Sequence, residues 1–254
     1  MGHPLRAGEL TFLGTGEAFD AETPNTAVLC RLGATFLVDC GLTVPPHLWR
    51  TLPDPDALDA IYLTHFHADH TFGVPSALFR LREDGRRRAL TVVGQRGVER
   101  YVRAMLRLAY RLTPTDFPFP LRFLTARPGY ALSFRGVRLS FARSRHSVVN
   151  LAVRLDWKGK AVAISGDGAP TAATERLFRN CGVLVHETFQ DEVFEPVHAS
   201  LPDVVDMARR ANVQRLYLIH LSRRFRGRAP AKVATCVSGG LRIHIASCGE
   251  RVRI

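Results

Sequence analysis

The side chains best suited to binding metal ions lie in the run Thr64-His65-Phe66-His67-Ala68-Asp69-His70. Imidazole and carboxylate groups together are typical zinc ligands, and manganese and iron also accept them. His65 and His67 are two residues apart, so they lie on the same side of an extended backbone and can share one cation. Asp69 and His70 fall on the turn into the next predicted helix, from which they can reach a second cation. We therefore expect a metal site here, because burying these polar groups without a metal would be costly.

Neither pair of residues completes the coordination of a metal ion, so further ligands must come from later in the chain. His146, Asp167 and His220 are the candidates, since each follows or nearly follows an apolar segment predicted to be a strand. Side chains at such strand ends converge on one edge of a sheet. A carboxylate such as Asp167 can also bridge two cations.

These side chains require a scaffold, and short strand-like segments alternate with helical patterns along the whole chain. The predicted strands are Leu10–Leu13, Ala27–Arg31, Thr35–Asp39, Ala60–Leu63, Ala89–Val93, Val137–Ala142, Leu151–Asp156, Ala161–Ile164, Val183–Val185, Leu216–Ile219 and Arg242–Ile245. The predicted helices are Phe72–Arg82, Val98–Leu112, Ala172–Arg179, Leu201–Ala211 and Ala231–Ser238. Ser200, with Pro202 and Asp203 behind it, gives the fourth of these helices a clear start signal. Short turns such as Arg31-Leu32-Gly33-Ala34 predict antiparallel hairpins between the first strands. The alternation predicts one layered α/β domain over residues 1–254.

The composition is typical of a folded globular protein. Of the 254 residues, 46% are hydrophobic, which is enough for a substantial core. No uninterrupted apolar run reaches about 18 residues, and the N-terminus lacks the apolar stretch of a secretory signal. The 5 cysteines occur singly, which fits neither a disulfide framework nor a thiolate zinc site. We therefore expect a cytoplasmic protein with no membrane partner.

The net charge of +12 comes almost entirely from arginine, since Lys158, Lys160 and Lys232 are the only lysines. The planar guanidinium group pairs well with phosphate oxygens, so this excess favours a phosphate-bearing partner. A GC-rich genome, which replaces lysine codons with arginine codons, explains the excess equally well.

The arginines form three groups along the sequence. The first is Arg223-Arg224-Phe225-Arg226, which follows closely after His220, so we expect Arg223 and Arg224 to contact a substrate phosphate near the metal site. The other two groups are the triplet Arg86-Arg87-Arg88 and a stripe at helical spacing, which consists of Arg100, Arg103, Arg107 and Arg111. We expect the opposite face of that helix to be apolar and buried, through Val102, Met105, Leu106 and Ala109. A solvated helix face is the alternative meaning of the stripe.

The pattern Thr-His-x-His-x-Asp-His, followed by a separate histidine, a Gly-Asp and a final histidine after an apolar strand, resembles the metallo-β-lactamase superfamily. Within it, the chain is most similar to the ribonuclease Z branch, the transfer-RNA 3′-processing endonucleases. The matching stretches beyond the ligands are Phe12-Leu13-Gly14-Thr15-Gly16, Asn25-Thr26, Leu37-Val38-Asp39-Cys40-Gly41, His70-Thr71-Phe72-Gly73-Val74-Pro75, Val185-His186-Glu187-Thr188-Phe189, His198-Ala199-Ser200, Ala211-Asn212-Val213 and His220-Leu221-Ser222-Arg223-Arg224-Phe225. The resemblance covers nearly the whole chain.

This resemblance implies a four-layer αββα sandwich with a site for two divalent metal ions, which are zinc in the family. Its implied ligands are His65, His67 and His146 for one metal, Asp69, His70 and His220 for the other, and Asp167 as the bridge. A metal-bridging hydroxide would attack the substrate, and Asp69 would steer it. His198 would donate a proton to the leaving oxygen, and Glu187 would orient His198 or a ligand. Diiron oxygen-reducing relatives carry a glutamate in place of His67, so the resemblance argues against redox chemistry.

The chain departs from ribonuclease Z in one large feature. That family inserts a long arm, which grips transfer RNA, between the isolated histidine and the bridging aspartate. His146 and Asp167 are 21 positions apart here, which leaves room for one hairpin and no arm. The family's Asp-Cys-Gly-Glu-Gly-Thr also becomes Asp39-Cys40-Gly41-Leu42-Thr43-Val44, and its Gly-Asp-Thr becomes Gly166-Asp167-Gly168. The metal site survives these differences, but a transfer-RNA substrate does not follow from it. Armless relatives include phosphodiesterases of small or cyclic nucleotides, and arylsulfatases.

The leading hypothesis is a dinuclear metal-dependent phosphodiesterase acting on a small nucleotide or RNA, with a homodimer implied by the family. Hydrolysis of a sulfate ester, lactone or β-lactam is the second hypothesis, and an apolar pocket without arginines near His198 would favour it. A nucleic-acid-binding protein with a purely structural metal is the third. The number of candidate ligands argues against it, because a structural zinc site is closed and uses four.

Overall fold

The structure is a computed structural model that describes residues 7–236 and 240–254, and its strands form two seven-stranded β-sheets. Apolar side chains fill the space between the sheets and the space between each sheet and its outer helices. The four-layer αββα sandwich implied by the resemblance is therefore confirmed. In the part of the chain that is described, no helix has both the length and the apolar character needed to cross a membrane.

The first sheet is half antiparallel and half parallel. Across the sheet, its strands are β14 (Arg251–Arg253), β1 (Glu9–Gly14), β2 (Ala27–Arg31), β3 (Thr35–Val38), β4 (Ala60–Leu63), β5 (Leu90–Gly94) and β6 (Leu121–Thr125). The neighbours from β14 to β3 pair antiparallel, and those from β3 to β6 pair parallel. The antiparallel pairing of β1, β2 and β3 was predicted from the short turns between the first strands. Parallel neighbours need crossover connections, and helices make them here. The helices on this side are α1 (Pro45–Thr51), the single turn α2 (Ala68–Thr71), α3 (Val74–Glu83) and α4 (Val98–Tyr110), with a short 3₁₀ turn at Pro114–Asp116.

The second sheet has the same mixed pattern. Across the sheet, its strands are β13 (Arg242–Ile245), β12 (Arg215–Ile219), β11 (Val183–Glu187), β10 (Lys160–Ile164), β9 (Leu151–Trp157), β8 (Val137–Arg143) and β7 (Ala131–Phe134). The four strands from β7 to β10 form an antiparallel meander, and β10 to β13 pair parallel. The helices on this side are α5 (Ala172–Phe178), α6 (Leu201–Arg210), α7 (Arg223–Arg226) and α8 (Ala229–Thr235).

Aromatic contacts join the two sheets. Phe12 on β1 lies 5.5 Å from Tyr217 on β12, and Tyr62 on β4 stacks on Phe141 of β8 at 5.6 Å, measured between ring centroids. The buried Tyr62 hydroxyl also donates a hydrogen bond of 2.7 Å to the carbonyl of Leu151. Full burial of a large apolar side chain such as Phe12 contributes about 1.5–3 kcal/mol to the stability of the folded state. These contacts fix the sheets against each other, and with them the strand ends that carry the predicted metal ligands.

The predicted hairpin between His146 and Asp167 is confirmed. β9 and β10 pair antiparallel, and the turn between them places Lys158 and Gly159 in the left-handed backbone region, with φ of 47° and 74°. A turn this tight leaves no inserted arm between the two strands.

Most predicted elements are confirmed, and the misses have local causes. The strands β6, β7 and β14 and the helices α1, α2 and α7 were not predicted. β7 and β14 are edge strands of 4 and 3 residues, too short for a periodic pattern to be visible. α1 begins with Pro45-Pro46, which reads as a loop although proline is well suited to the first turn of a helix.

Three predicted helices have different ends or faces in the structure. The helix expected at Phe72–Arg82 begins at Val74, because Phe72 closes α2. The helix expected at Ala231–Ser238 spans Ala229–Thr235, and Ser238 lies outside the described residues. Ala109 was expected in the core but is exposed, since the buried face of α4 ends at Leu106.

Arg86 is not part of a surface cluster, contrary to its grouping with Arg87 and Arg88. Its side chain is fully buried, and its guanidinium group donates hydrogen bonds to the carbonyls of Pro55, Leu58 and Ala89. The guanidinium carbon also lies 5.3 Å from the ring centre of Phe119. Arg86 therefore holds together the connections that lead into β4 and β5.

We expect Arg86→Ala to lower the free energy of unfolding by about 3–5 kcal/mol, because three buried carbonyls lose their donor. Arg87→Ala is the matched control, and its exposed side chain predicts a change within about 0.5 kcal/mol. Urea unfolding followed by circular dichroism measures both. Equal losses in the two variants would contradict a structural role specific to Arg86.

Candidate metal centre

Three imidazole rings converge at the end of β4. His65 lies two residues beyond the end of β4, His67 comes two residues later, and His146 reaches them from the loop after β8. His65 Nε2 lies 3.1 Å from His67 Nδ1, which lies 3.2 Å from His146 Nε2. The three nitrogens therefore face one common point.

A second group of donors lies beside the first. Asp69 and His70 stand on α2, with His70 Nε2 3.3 Å from Asp69 Oδ2. Asp167 follows β10, and its Oδ1 lies 3.4 Å from His70 Nε2. His220 follows β12, and its Nε2 lies 3.4 Å from Asp167 Oδ2. Asp167 Oδ2 is also 3.9 Å from Nε2 of His65, so its carboxylate faces both groups.

All seven predicted ligands are thus brought together, and their spacing fits divalent cations. Zinc bonds to nitrogen and oxygen of roughly 2.0–2.1 Å in a tetrahedron place neighbouring donors about 3.3–3.4 Å apart. Three of the buried atoms of the second group, His70 Nε2, Asp167 Oδ1 and His220 Nε2, have no hydrogen-bond partner. Buried polar atoms rarely remain unsatisfied, and one cation in this group would satisfy all three.

The pKa of a histidine is shifted in opposite directions in the two groups of donors. Burial lowers the pKa of His65 well below its ordinary value, which keeps its ring neutral and able to bind a metal. Burial also lowers the pKa of His220, but the carboxylates of Asp167, Asp69 and Glu187 outweigh it and raise the pKa to about 9. Protons therefore compete with a cation for the second group.

Asp39 orients His70 from outside the donor cluster. Its Oδ2 accepts a hydrogen bond of 2.8 Å from His70 Nδ1, which leaves Nε2 to face the cluster. Thr64 donates to the same carboxylate from its backbone nitrogen and its hydroxyl, each at 2.8 Å. Asp39 adopts a left-handed φ of 63°, a conformation that non-glycine residues rarely hold without a reason. This role of Asp39 was not predicted from the sequence, although an aspartate directly after an apolar strand was an available signal.

Asn150 holds the segment that carries Asp167. Its buried amide donates to the carbonyl of Ser165 at 2.8 Å, and its Oδ1 accepts from the backbone nitrogen of Asp167 at 3.1 Å. Gly166 is required beside it, because φ is 62° and a Cβ there would lie 2.3 Å from Asn150 Oδ1. A single asparagine gives no sequence signal for such a role, and Asn150 was missed.

Tyr101 of α4 supports the loop that carries His65 and His67. Its ring stacks on Phe66 with centroids 4.2 Å apart, and its hydroxyl donates to the Phe66 carbonyl at 2.9 Å. Thr71 adds a hydrogen bond of 2.8 Å to the carbonyl of His67. Tyr101 was missed, because Phe66 becomes its neighbour only through the packing of α4.

Glu187 and His198 form a pair beside the donor cluster. The fully buried Glu187 ends β11, and its two carboxylate oxygens lie 3.0 and 3.2 Å from His198 Nδ1. Glu187 Oε2 lies 3.8 Å from Nδ1 of the predicted ligand His220, which is too long for a hydrogen bond. Glu187 was expected to orient either His198 or a ligand, and here it bonds His198. Burial lowers the pKa of His198, but the hydrogen bond to Glu187 outweighs it and the net pKa is raised. The His198 ring lies 5.1 Å from the ring of His146.

Gln190 shapes the loop that presents His198. Its side chain is buried, and its Oε1 accepts from the backbone nitrogens of Phe194 and Glu195 at 3.0 and 2.9 Å. Its amide donates to the carbonyl of His198 at 3.2 Å. The helix α6 then starts as predicted, with the Ser200 hydroxyl accepting from the backbone nitrogen of its third residue. Gln190 carried no recognisable signal in the sequence.

A cavity of about 650 Å³ opens beside His198. Its lining consists of Glu17, Phe189, Phe194, Glu195, Val197, His198, Ser222, Arg223 and Arg224. Both arginines expected near the metal site therefore line this cavity, and Arg223 Nε lies 2.8 Å from Glu17 Oε1. The stripe on α4 is exposed, and within it Arg103 pairs with Glu99 at 2.7 Å.

A family model described as anti-Pycsar protein Apyc1 matches residues 8–235 of this chain. Ribonuclease BN of Escherichia coli O1:K1 / APEC is 30% identical over 278 aligned positions, covering 85% of this chain and 90% of that protein. The alignment has more positions than this chain has residues. The Escherichia coli ribonuclease therefore contains segments that are absent from this chain.

Two solved structures share the fold from end to end. The metallo-β-lactamase fold protein YhfI from Bacillus subtilis has a TM-score of 0.80 at 22% identity, covering 96% of this chain and 98% of that one. The short form of human tRNase Z has a TM-score of 0.79 at 20% identity, covering 97% and 99%. At these identities, the likeness concerns the fold alone.

We expect Asp39→Asn to weaken zinc binding about 10–100-fold, because His70 loses the charged partner that orients it. Asparagine keeps the size of the side chain and tolerates the left-handed backbone. Competition with a chromophoric chelator measures the affinity. Asp59→Asn is the matched control, since Asp59 is a buried carboxylate that bonds Thr35 away from the cluster. Equal affinities in the two variants would contradict the role of Asp39.

Proposed function

We infer that this chain, which belongs to the anti-Pycsar protein Apyc1 family and to the ribonuclease Z-like branch of the metallo-β-lactamase superfamily, is a metal-dependent phosphodiesterase. The position of His198 carries this inference. Glu187 holds its Nδ1, its ring lies beside His146, and it also lines the cavity that contains Arg223 and Arg224. A proton donor thus lies next to a metal-binding cluster and to groups that suit phosphate.

We assign one cation to His65, His67 and His146, and the other to Asp69, His70 and His220, with Asp167 shared. When bound, such a pair neutralises charge on phosphoryl oxygens and lowers the pKa of a nearby water. The orphaned donor atoms of His70, Asp167 and His220 support the second cation, and the close spacing of the three nitrogens of the first group supports the other.

Side chains of the protein then orient the attacking water and donate a proton to the leaving group. The attacking water loses one proton to solvent, and Asp69 accepts a hydrogen bond from the hydroxide that remains and directs its oxygen towards phosphorus. As the new P–O bond forms, the ester P–O bond breaks, and His198 gives the proton on Nε2 to the leaving oxygen. Glu187 holds the ring through Nδ1 and stabilises its protonated form before the transfer.

A small nucleotide suits this chain better than transfer RNA. The tight hairpin between His146 and Asp167 leaves no arm for distant contacts with a folded RNA. The cavity beside His198 has a size typical of small-molecule sites. RNA remains the alternative substrate, because the matched relatives are named as ribonucleases.

Two other functions are less well supported. An apolar pocket without arginines would have favoured hydrolysis of a sulfate ester, lactone or β-lactam. The cavity beside His198 is instead lined in part by Arg223 and Arg224, which argues against this function. A binding protein with a structural metal needs a closed site, whereas the donors here form two adjacent groups beside an open cavity.

The proposal extends to three further properties. We take the metal to be zinc, with manganese or iron as alternatives, because the donor spacing matches zinc bond lengths. We place the protein in the cytoplasm. We expect a homodimer, which sedimentation equilibrium of the metal-loaded protein would measure.

We expect the zinc- or manganese-loaded protein to hydrolyse both bis(p-nitrophenyl) phosphate and a 3′,5′-cyclic nucleotide. Asp69→Ala should abolish both activities. His198→Ala should lower kcat for the cyclic nucleotide about 10²–10⁴-fold, because its alkoxide leaving group needs a proton. The effect on bis(p-nitrophenyl) phosphate should be much smaller, since p-nitrophenolate is a weak base.

His244→Ala serves as the control, because His244 is an exposed histidine on β13 outside the donor groups. Steady-state kinetics at saturating metal measure all four proteins. Absence of wild-type turnover above the Asp69→Ala background, with both cations bound, would exclude the phosphodiesterase function.

A further inference from the structure

The outer face of α4 is strongly basic. The stripe formed by Arg100, Arg103, Arg107 and Arg111 follows the helix at intervals of three and four residues, and all four side chains are exposed. Among these four, in the part of the chain that the structure describes, only Arg103 pairs with a carboxylate, that of Glu99 at 2.7 Å. The stripe extends over about 16 Å, since each residue of an α-helix advances the chain by about 1.5 Å.

This arrangement destabilises the helix unless a partner neutralises the charge. Like charges spaced by four residues repel each other, and Arg107 has such a neighbour on both sides, Arg103 and Arg111. The exposed positions within the stripe, Ala104 and Leu108, supply no negative charge. A GC-rich genome explains why the basic residues are arginine, but it does not explain why acidic residues are missing between them. An anionic partner along the stripe would remove the repulsion.

A groove beside the stripe adds an aromatic side chain. This α4–β6 groove has a volume of about 440 Å³ and lies along β6, the edge strand of the first sheet. Arg100 and Arg103 line it from the helix, and Phe123 and Thr125 line it from the strand. The Phe123 side chain is half-buried there. A ring next to two guanidinium groups suits a ligand that combines phosphates with planar bases.

We propose that the stripe and the α4–β6 groove bind single-stranded nucleic acid, with phosphates along the arginines and an unpaired base against Phe123. The regularly spaced cations match a polymer with one charge per nucleotide, and guanidinium groups pair well with phosphate oxygens. An acidic protein segment would engage the arginines but leave the ring without a stacking partner. These residues belong neither to the donor groups nor to the cavity beside His198, so this binding function is separate from hydrolysis.

Fluorescence anisotropy of a labelled oligothymidylate of about 15 nucleotides, titrated with the metal-loaded protein, tests the proposal. We expect Arg100→Ala/Arg107→Ala to weaken binding at least about tenfold at low salt. The slope of log Kd against log salt should fall by about 1.4, since each phosphate contact contributes about 0.7 for a single strand. Phe123→Leu keeps an apolar side chain, and it should weaken binding about tenfold without changing the slope, because only stacking is lost.

Arg176→Ala/Arg179→Ala is the matched control, because it removes the same charge from exposed arginines in and directly after α5, on the other sheet. Equal weakening in the two double variants would overturn the proposal, since general charge would then account for the binding. Equal wild-type affinity for a duplex of the same length would overturn the role of the groove.

Two further measurements distinguish this surface from others. If Arg100→Ala/Arg107→Ala loses binding to phosphatidylserine vesicles but still binds the oligonucleotide, the stripe is a membrane surface and the proposal is wrong. Hydrolysis of a 3′,5′-cyclic nucleotide should be unchanged in the stripe variant, and its loss would place these arginines in the hydrolytic site instead. Failure of the proposed function is a different result, in which the wild-type protein binds the oligonucleotide but hydrolyses no diester.

Discussion

Two carboxylates and five imidazoles meet in one small volume at the ends of four strands, and most of these side chains are buried. Removing such groups from water is costly unless each finds a partner, and hydrogen bonds within the group leave several atoms unsatisfied. Divalent cations remove this cost, because they bind the orphaned nitrogens and oxygens directly. The fold must therefore hold seven donors close enough to share two cations while preventing their collapse into ion pairs.

The sandwich meets this requirement through rigid parts rather than through the ligand loops themselves. β4 in one sheet and β8, β10 and β12 in the other end at the same rim, and stacked aromatic side chains fix the sheets together. Buried polar groups then set the angle of individual ligands. Asp39 does this for His70, and Asn150 does it for the backbone of Asp167. Asp39 and His220 both adopt left-handed backbone conformations, with φ of 63° and 55°, so some backbone strain is concentrated at the site.

The donor set could be predicted from the sequence because metal ligands are chemically distinctive and follow apolar strands. His65, His67, Asp69 and His70 stand within one run, and His146, Asp167 and His220 each come after a strand that the apolar pattern revealed. The alternation of strands and helices likewise predicted the class of fold. Short edge strands such as β7 and β14 were missed, because they bury too few residues to form a pattern.

The supporting residues could not be predicted in the same way. Tyr101, Asn150 and Gln190 each act through hydrogen bonds to backbone groups, and those partners are not visible as residue types. The sequence signal at Arg86 was misleading, because an arginine within a basic triplet suggests a surface position. Its guanidinium group is buried and donates hydrogen bonds to backbone carbonyls. Local sequence identifies groups that bind metal, whereas tertiary packing decides which polar residues hold those groups in place.

The central claim is that the donors form two adjacent cation sites that share Asp167. Anomalous diffraction from zinc-loaded crystals, measured on both sides of the zinc edge, tests it directly. Two peaks about 3.5–4 Å apart are expected, one bonded to His65, His67 and His146 and the other to Asp69, His70 and His220. A single peak, or a second peak outside these donors, would contradict the claim.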